Sequence, residues 1–334
     1  MVRAKVRGVD DLAYARARVT ELGARFCLTF VKGVGERAAL DRMGAYEDTV
    51  AERTGARLDG HAAAVDLGRW TVVIEPGGAE GSDHVLLEAV SRGTEAMSVL
   101  RDDRASPRFT YAVRGGTAVA FDPAYPAPEL TWGSDPELLR HLMGAVGLRE
   151  PGGEDEETWR DAEARALVLA QRLTGARLPE DPLGPPRLSA RIEPWFVSPP
   201  RPADLLRPGP RFAALFAAAE QATDERKREV AAAEMRRRAA AVGVAGAPGL
   251  DAALDRAARG GGEPVAAGSP LGRQVREWLD APEEKGLRAF AIALRGVLDR
   301  DADVALRAAL RPLRNAGAGP DEAVTALVAA LSAR

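Results

Sequence analysis

The chain has 334 residues, of which 46% are hydrophobic, so it is long enough for two domains and a substantial buried core. Its 46 basic and 49 acidic residues leave a net charge of −3, which excludes a global electrostatic attraction to nucleic acid or to an anionic membrane. No apolar run approaches the roughly 18–20 residues that span a bilayer, and Met1-Val-Arg-Ala-Lys-Val-Arg7 lacks the apolar run of about 7–15 residues that a secretory signal requires, so a soluble cytoplasmic protein without a membrane partner is expected.

The predicted elements begin with a helix over residues 13–22, which Asp10 or Asp11 can cap and Gly23 can end. Phe26 to Val31 predicts a strand, and it contains Cys27, the single cysteine of the chain. One cysteine excludes an intrachain disulfide and a cysteine-only metal site, and in such a strand the thiol is expected to be buried and inert. Gly33-Val-Gly35 opens a helix over 36–43 closed by Gly44, while 46–60 has no clean period and reads as loop with room for a helical turn. Ala62 to Leu67 and Trp70 to Glu75 flank Gly68-Arg69, a two-residue hairpin. The Trp70 strand stops at Pro76-Gly77-Gly78, and Ser82-Asp83 offers an N-cap to a helix over 84–90 that Gly93 can close. Strands over 96–100, 109–113 and 117–121 follow as a meander whose last turn is Gly115-Gly116. About six strands, largely joined by short turns, imply antiparallel pairing.

A proline-rich crossing from Pro123 to Pro128 leads to Ser134-Asp135-Pro136-Glu137. There Asp135 can cap a helix with proline in its first turn, or Ser134 and Glu137 can form a capping box. Leu138, Leu139, Leu142, Met143 and Val146 are expected on the inner face of that helix, and 159–173 predicts another, ended by Gly175. Between 179 and 210 closely spaced prolines forbid long helices, and Leu188 to Phe196 is apolar enough to dock on what precedes it. From Phe212 the pattern is helical: one long helix or two as far as Val242, then helices over 250–258, 271–279, 284–298, 304–314 and 321–331. The expected fold class is α+β. It comprises a mainly antiparallel sheet with packed helices over 1–178, a Pro-rich, partly docked linker over 179–210, and an all-helical domain over 211–334.

Gly33-x-Gly35-x-x-Ala38 follows a strand and opens a helix, the arrangement in which backbone amides approach a phosphate. The stretch 53–57 supplies no following strand with an acidic end, so a tight strand-to-helix turn is expected instead. Asp299-x-Asp301-x-Asp303 imitates the start of a calcium loop, yet Val304 and Leu310 stand where the turning glycine and closing glutamate belong; Asp301 is expected to cap a helix. His61, His84 and His141 lie on different elements without zinc-site spacing, so no metal and no cofactor is expected. Ser82, Asp83 and His84 have the residue types of a catalytic triad, but chain neighbours do not form its relay. Arg226-Lys-Arg228 and Arg236-Arg-Arg238 make a basic segment interleaved with acids, which reads as a solvated helix with internal ion pairs rather than a phosphate-binding stripe. Glu75, Glu80 and Asp83 surround the Pro76-Gly77-Gly78 turn. Gly77, Gly78 and Gly81 are expected to present backbone N–H groups beside the start of the 84–90 helix, which makes Glu80, Asp83 and Arg92 the candidate binding residues and assigns no catalytic one.

Phe26-Cys-Leu-Thr-Phe-Val-Lys-Gly33, Leu40-Asp-Arg-Met-Gly44, the Glu75-Pro76-x-Gly78-x-x-Gly81-Ser82 turn, Ser91-Arg-Gly-Thr-Glu-Ala96 and Trp132-Gly-Ser-Asp-Pro136 together resemble an uncharacterised actinobacterial family, a domain of unknown function. The resemblance covers residues 10–195 and, less fully, the helical tail, and it carries over no catalytic residue. The function expected is that of a non-enzymatic cytoplasmic interaction or regulatory protein with a protein partner, suited to bacterial defence or immunity; nucleic acid is not an expected partner. The alternative is a small-molecule or nucleotide-dependent enzyme using the Gly33/Gly35 turn or the Glu75–Asp83 loop.

Overall fold

A strand whose successive residues are nearly all buried must be covered on both faces, and β1 (Arg25–Lys32) is such a strand. The computed structural model describes residues 8–103, 106, 108–149, 160–262, 264–281, 285–315 and 321–333. The chain separates into two compact units, 1–197 and 198–334. In the first, β1 is followed by β2 (Ala51–Arg53), β3 (Ala62–Asp66), β4 (Trp70–Pro76), β5 (Glu95–Asp102), β6 (Arg108–Val113), β7 (Gly116–Phe121) and β8 (Arg187–Ala190). Its helices are α1 (Gly8–Leu22), α2 (Glu36–Arg42), α3 (His84–Val90), α4 (Arg140–Ala145) and α5 (Ala162–Thr174).

The strands form one 8-stranded sheet in the order β2-β8-β3-β4-β1-β5-β6-β7, with every neighbouring pair antiparallel. Alternation along the strands gives the two faces different chemistry. Phe26, Leu28, Phe30, Val72 and Ile74 point toward α1 and α5, where Val19 and Leu167 complete a large-residue core. The opposite face carries Val31, Val73, Ala96 and Ala112 beneath Leu40 of α2 and Leu87 of α3. Cys27, Thr29, Ser98 and Thr110 are also fully buried, and the strand register places them on this second face.

The α+β class and antiparallel pairing match the expectation, whereas the strand number does not. β2 and β8 have 3 and 4 residues, too short for an alternation to register, and β2 has β8 as its neighbour. β8 lies within the stretch 179–210, and the division between the units falls at Val197 and Ser198. The helix expected after Pro136 starts only at Arg140, because Ser134 and Asp135 still donate their backbone N–H groups to Thr117 and Ala118 of β7. Leu138 is therefore exposed, while Leu139, Met143 and Val146 are buried as the helical pattern predicts.

The second unit contains α6 (Ala213–Gln221), α7 (Asp224–Ala241), α8 (Leu250–Ala258), α9 (Pro270–Asp280), α10 (Lys285–Val297), α11 (Ala302–Leu310) and α12 (Asp321–Ser332). Residues 212–242 are two helices, since Thr223 breaks the run and caps α7 by accepting from Arg226 N. Leu206, Phe212, Leu215, Val230, Leu306 and Leu310 form part of its core. Asp301 caps α11 through the amides of Asp303 and Val304, so its carboxylate serves the helix rather than a calcium loop. Among the described residues no helix is long and apolar enough to cross a membrane.

The first unit's boundary can be tested by truncation. A fragment ending at Val197 is expected to unfold cooperatively in urea, and one ending at residue 186 to be less stable by at least about 3 kcal/mol, because it loses β8 and the buried Trp195. Equal urea midpoints for the two fragments would show that β8 adds nothing to the sheet.

Candidate functional site

Glu75, next to last in β4, lies directly opposite Cys27 of β1, and only 4% of it is exposed. A carboxylate in that position needs donors. Two come from the backbone: Oε2 accepts from Glu80 N at 2.9 Å and Oε1 accepts from Gly81 N at 2.8 Å. The loop between β4 and α3 is thereby drawn flat onto the second face of the sheet. At Gly81 an added Cβ would stand 1.9 Å from Thr29 Oγ1, so glycine is demanded there by contact rather than by a turn. Gly77 donates to Arg25 O at 2.9 Å and Gly78 to Glu75 O at 3.2 Å.

These bonds correct the expected role of the glycines. The amides of Gly77, Gly78 and Gly81 are spent inside the loop and on the sheet, so they do not form an exposed anion cradle beside α3. Burial pushes the Glu75 carboxyl up to about 7, against the downward pull of the Gly81 and Glu80 amides. The same burial, followed by the charge of Glu75, holds the Cys27 thiol well above its ordinary range. A fully buried, protonated thiol is not a nucleophile. Next to it, Ser98 Oγ and Thr110 Oγ1 are buried without a hydrogen-bond partner among the described residues.

Of the three binding residues expected from the sequence, Glu80 and Asp83 lie together at the start of α3. Asp83 accepts from Val85 N at 2.9 Å as the N-cap, and Glu80 holds the loop through its own amide. Arg92 lies at the far end of α3, about 10 Å along a helix of 7 residues, and its carbonyl accepts from Arg42 Nη1 at 3.0 Å. Glu80, Asp83 and Arg92 therefore do not converge on one point. The Gly33/Gly35 turn is occupied from within: Thr71 Oγ1 donates to Val34 O at 2.5 Å, and Glu36 in the first turn of α2 accepts from Asp66 N at 3.2 Å. An acidic side chain at that position disfavours a phosphate. His61 Nδ1 lies 2.8 Å from Asp59 O, and no group of His, Cys, Asp and Glu able to hold a metal occurs among the described residues.

His84, the first residue of α3, leads to a surface that the sequence reading missed. Its ring meets Trp132 edge to face, with centroids 5.3 Å apart. Trp132 is fixed by a reciprocal backbone pair with Ala120, donating at 3.0 Å and accepting at 2.7 Å, so residues 132–135 run along the outer edge of β7. Gly133 permits this approach: its φ is +133°, and an added Cβ would lie 2.3 Å from Ala118 O. Tyr125, Leu130, Trp132 and Leu138 are the large hydrophobic residues exposed among the described residues, at 46% to 53%, and all fall between 125 and 138. Pro126, Pro128, Pro136 and Met143 help to line a cleft of about 250 Å³ in the same stretch. The available signal was negative: apolar residues among prolines, with no period to turn them toward one side.

A family model described as a family of unknown function (DUF6461) matches residues 7–186. No curated protein and no solved structure matches the chain.

The buried carboxyl gives a pH test. Glu75 has a folded pKa of about 7 against an ordinary 4.5, so the stabilisation from its protonated form is complete below about 4.5 and is lost as pH rises through 7. The loss amounts to about 3 kcal/mol. Glu75→Gln cannot titrate, and its urea stability relative to wild type is expected to improve by that amount between pH 4.5 and pH 8. A difference that stays constant over this range would mean that Glu75 keeps one protonation state.

Proposed function

We propose, for a chain that belongs to the family of unknown function DUF6461, that it is a non-enzymatic interaction protein whose contact surface is the segment 125–138 beside His84. The observation that carries this reading is the confinement of the exposed Tyr125, Leu130, Trp132 and Leu138 to one segment. Scattered exposed apolar residues need no explanation, but a clustered set marks a docking surface. Tyr and Trp are also the side chains that carry most binding energy in such surfaces.

The support is physical as well as compositional. Trp132 is anchored by two backbone bonds and by His84, so its ring is held before a partner arrives and little ordering entropy remains to be lost. Asp83 precedes His84 in the chain and is the N-cap of α3. The reading places the protein in the cytoplasm, where the lone Cys27 thiol stays reduced.

A photo-crosslinking residue placed at Leu130, in the cell that natively makes the protein, is expected to yield discrete protein adducts that the same residue at exposed Arg37 does not. Trp132→Ser should remove those adducts and weaken binding of the captured protein at least about tenfold, while leaving the circular dichroism spectrum unchanged. The same adducts from both positions, or adducts that survive Trp132→Ser, would place the interface elsewhere.

A further inference from the structure

The Glu75 carboxyl has been taken out of water without gaining a cation: it is buried, and no ion pair among the described residues includes it. The groups that face it are few. From β1 comes the Cys27 thiol, which hydrogen-bonds to it, and from its own loop comes the Glu80 carboxylate, which repels it. Arg25, two residues from Cys27 on the same face of β1, is engaged with Asp102 of β5 at 3.1 Å. β5 and β6 bring the hydroxyls of Ser98 and Thr110, and at the start of α3 Asp83 accepts from Val85 N.

This carboxyl also ties the backbone at residues 80 and 81 to the strands. Glu80 N and Gly81 N donate to its two oxygens, while Ser82 and Asp83 donate their amides within the loop, to Ala79 O and Glu80 O. Water has no room to enter beneath. An added Cβ at Gly81 would stand 1.9 Å from Thr29 Oγ1 and 2.8 Å from Glu75 Oε1, so loop and sheet are in direct contact. Hydrating the carboxylate therefore requires the loop to move, and Gly77, at φ +71°, gives the chain a joint where β4 ends. Lifting the loop breaks the two amide bonds. A neutral carboxyl gains little from water in return, whereas an ionised one without a counter-ion gains a great deal.

We propose that the loop 77–83 is a pH-operated latch: it lies closed on β1 and β4 while Glu75 is protonated, and loss of that proton to water opens it locally and releases the start of α3. Burial holds the closed carboxyl at about 7, against an ordinary 4.5 once it is hydrated. The advantage of the closed form is therefore complete below about 4.5 and is lost as pH rises through 7. His84, the first residue of α3, packs its ring on Trp132, so the latch adjoins the 125–138 surface. It does not depend on what that surface binds.

The test is amide hydrogen exchange of the full chain, followed by NMR at pH 6 and pH 8 and corrected at each pH for intrinsic exchange. The Glu80 and Gly81 amides are expected to be at least about tenfold less protected than those of Leu28 and Phe30 in β1, because the loop opens without the rest of the unit. Their protection is expected to fall about tenfold from pH 6 to pH 8 in wild type and to stay level in Glu75→Gln, which has no proton to lose. Equal protection of the loop and β1 overturns the proposal, since the loop then opens only when the whole unit unfolds. A fall of less than about twofold in wild type, or an equal fall in Glu75→Gln, overturns it as well. Should Glu75→Gln fail to fold, the two wild-type comparisons decide.

Discussion

The hydrogen bonds from the Glu80 and Gly81 amides to the buried Glu75 carboxyl fix the loop on which α3 is mounted. A carboxyl taken from water costs several kcal/mol unless donors replace the water, so the loop cannot lift at Gly81 without exposing that cost. The loop lies on a row of small and polar side chains, Thr29, Ser98 and Thr110, which leave room for backbone to approach the sheet. The opposite face, with Phe26, Phe30 and Phe109, could not accept a chain so closely. The asymmetry of the two faces thus decides which one carries the loop and α3.

From α3 the dependence runs to the sheet edge. An open edge strand invites pairing with other chains, and β7 avoids this by taking residues 132–135 as an irregular cover. A cover of this kind satisfies backbone groups but has no second face to bury, so its apolar side chains have nowhere to go. Trp132 finds the edge of His84, whereas Leu130 and Tyr125 stay half exposed. The same backbone bonds that protect the edge therefore hold aromatic surface toward solvent.

Local signals were the legible ones. Asp83 and Asp301 cap their helices because the acceptor lies within three residues of its donors, which a sequence displays directly. β4 showed itself by β-branched composition, and the strands beside it and in the meander by their turns. What was not legible depends on residues brought together from separate strands. The demand for Gly81 comes from Thr29 on β1, and the loss of its amide to Glu75 turns an apparent anion cradle into an internal brace. Leu138 had the right spacing for a helix face, but bonds to β7 delayed the helix past it. Cationic α7 was legible as ion-paired from its interleaved acids, and Arg226 with Glu229 and Arg237 with Glu234 are such pairs.

The matched family span and the physical domain have different ends, for a reason visible in the sheet. The match stops at residue 186, immediately before β8. β2 lies well inside that span, yet its neighbour in the sheet is β8, and β8 also covers β3 through Ala62 with Ala190 and Ala63 with Ser189. Without β8, the strand β2 has no ladder and β3 becomes an edge whose buried alanines carry no charge or proline to discourage pairing. A recurrent sequence signal can end where side-chain constraint weakens, because a short strand is held mainly through backbone bonds that many sequences can make. Arg187-Leu-Ser-Ala190 is a strand of that kind: its place is set by the partners on either side, and the first unit closes only after it.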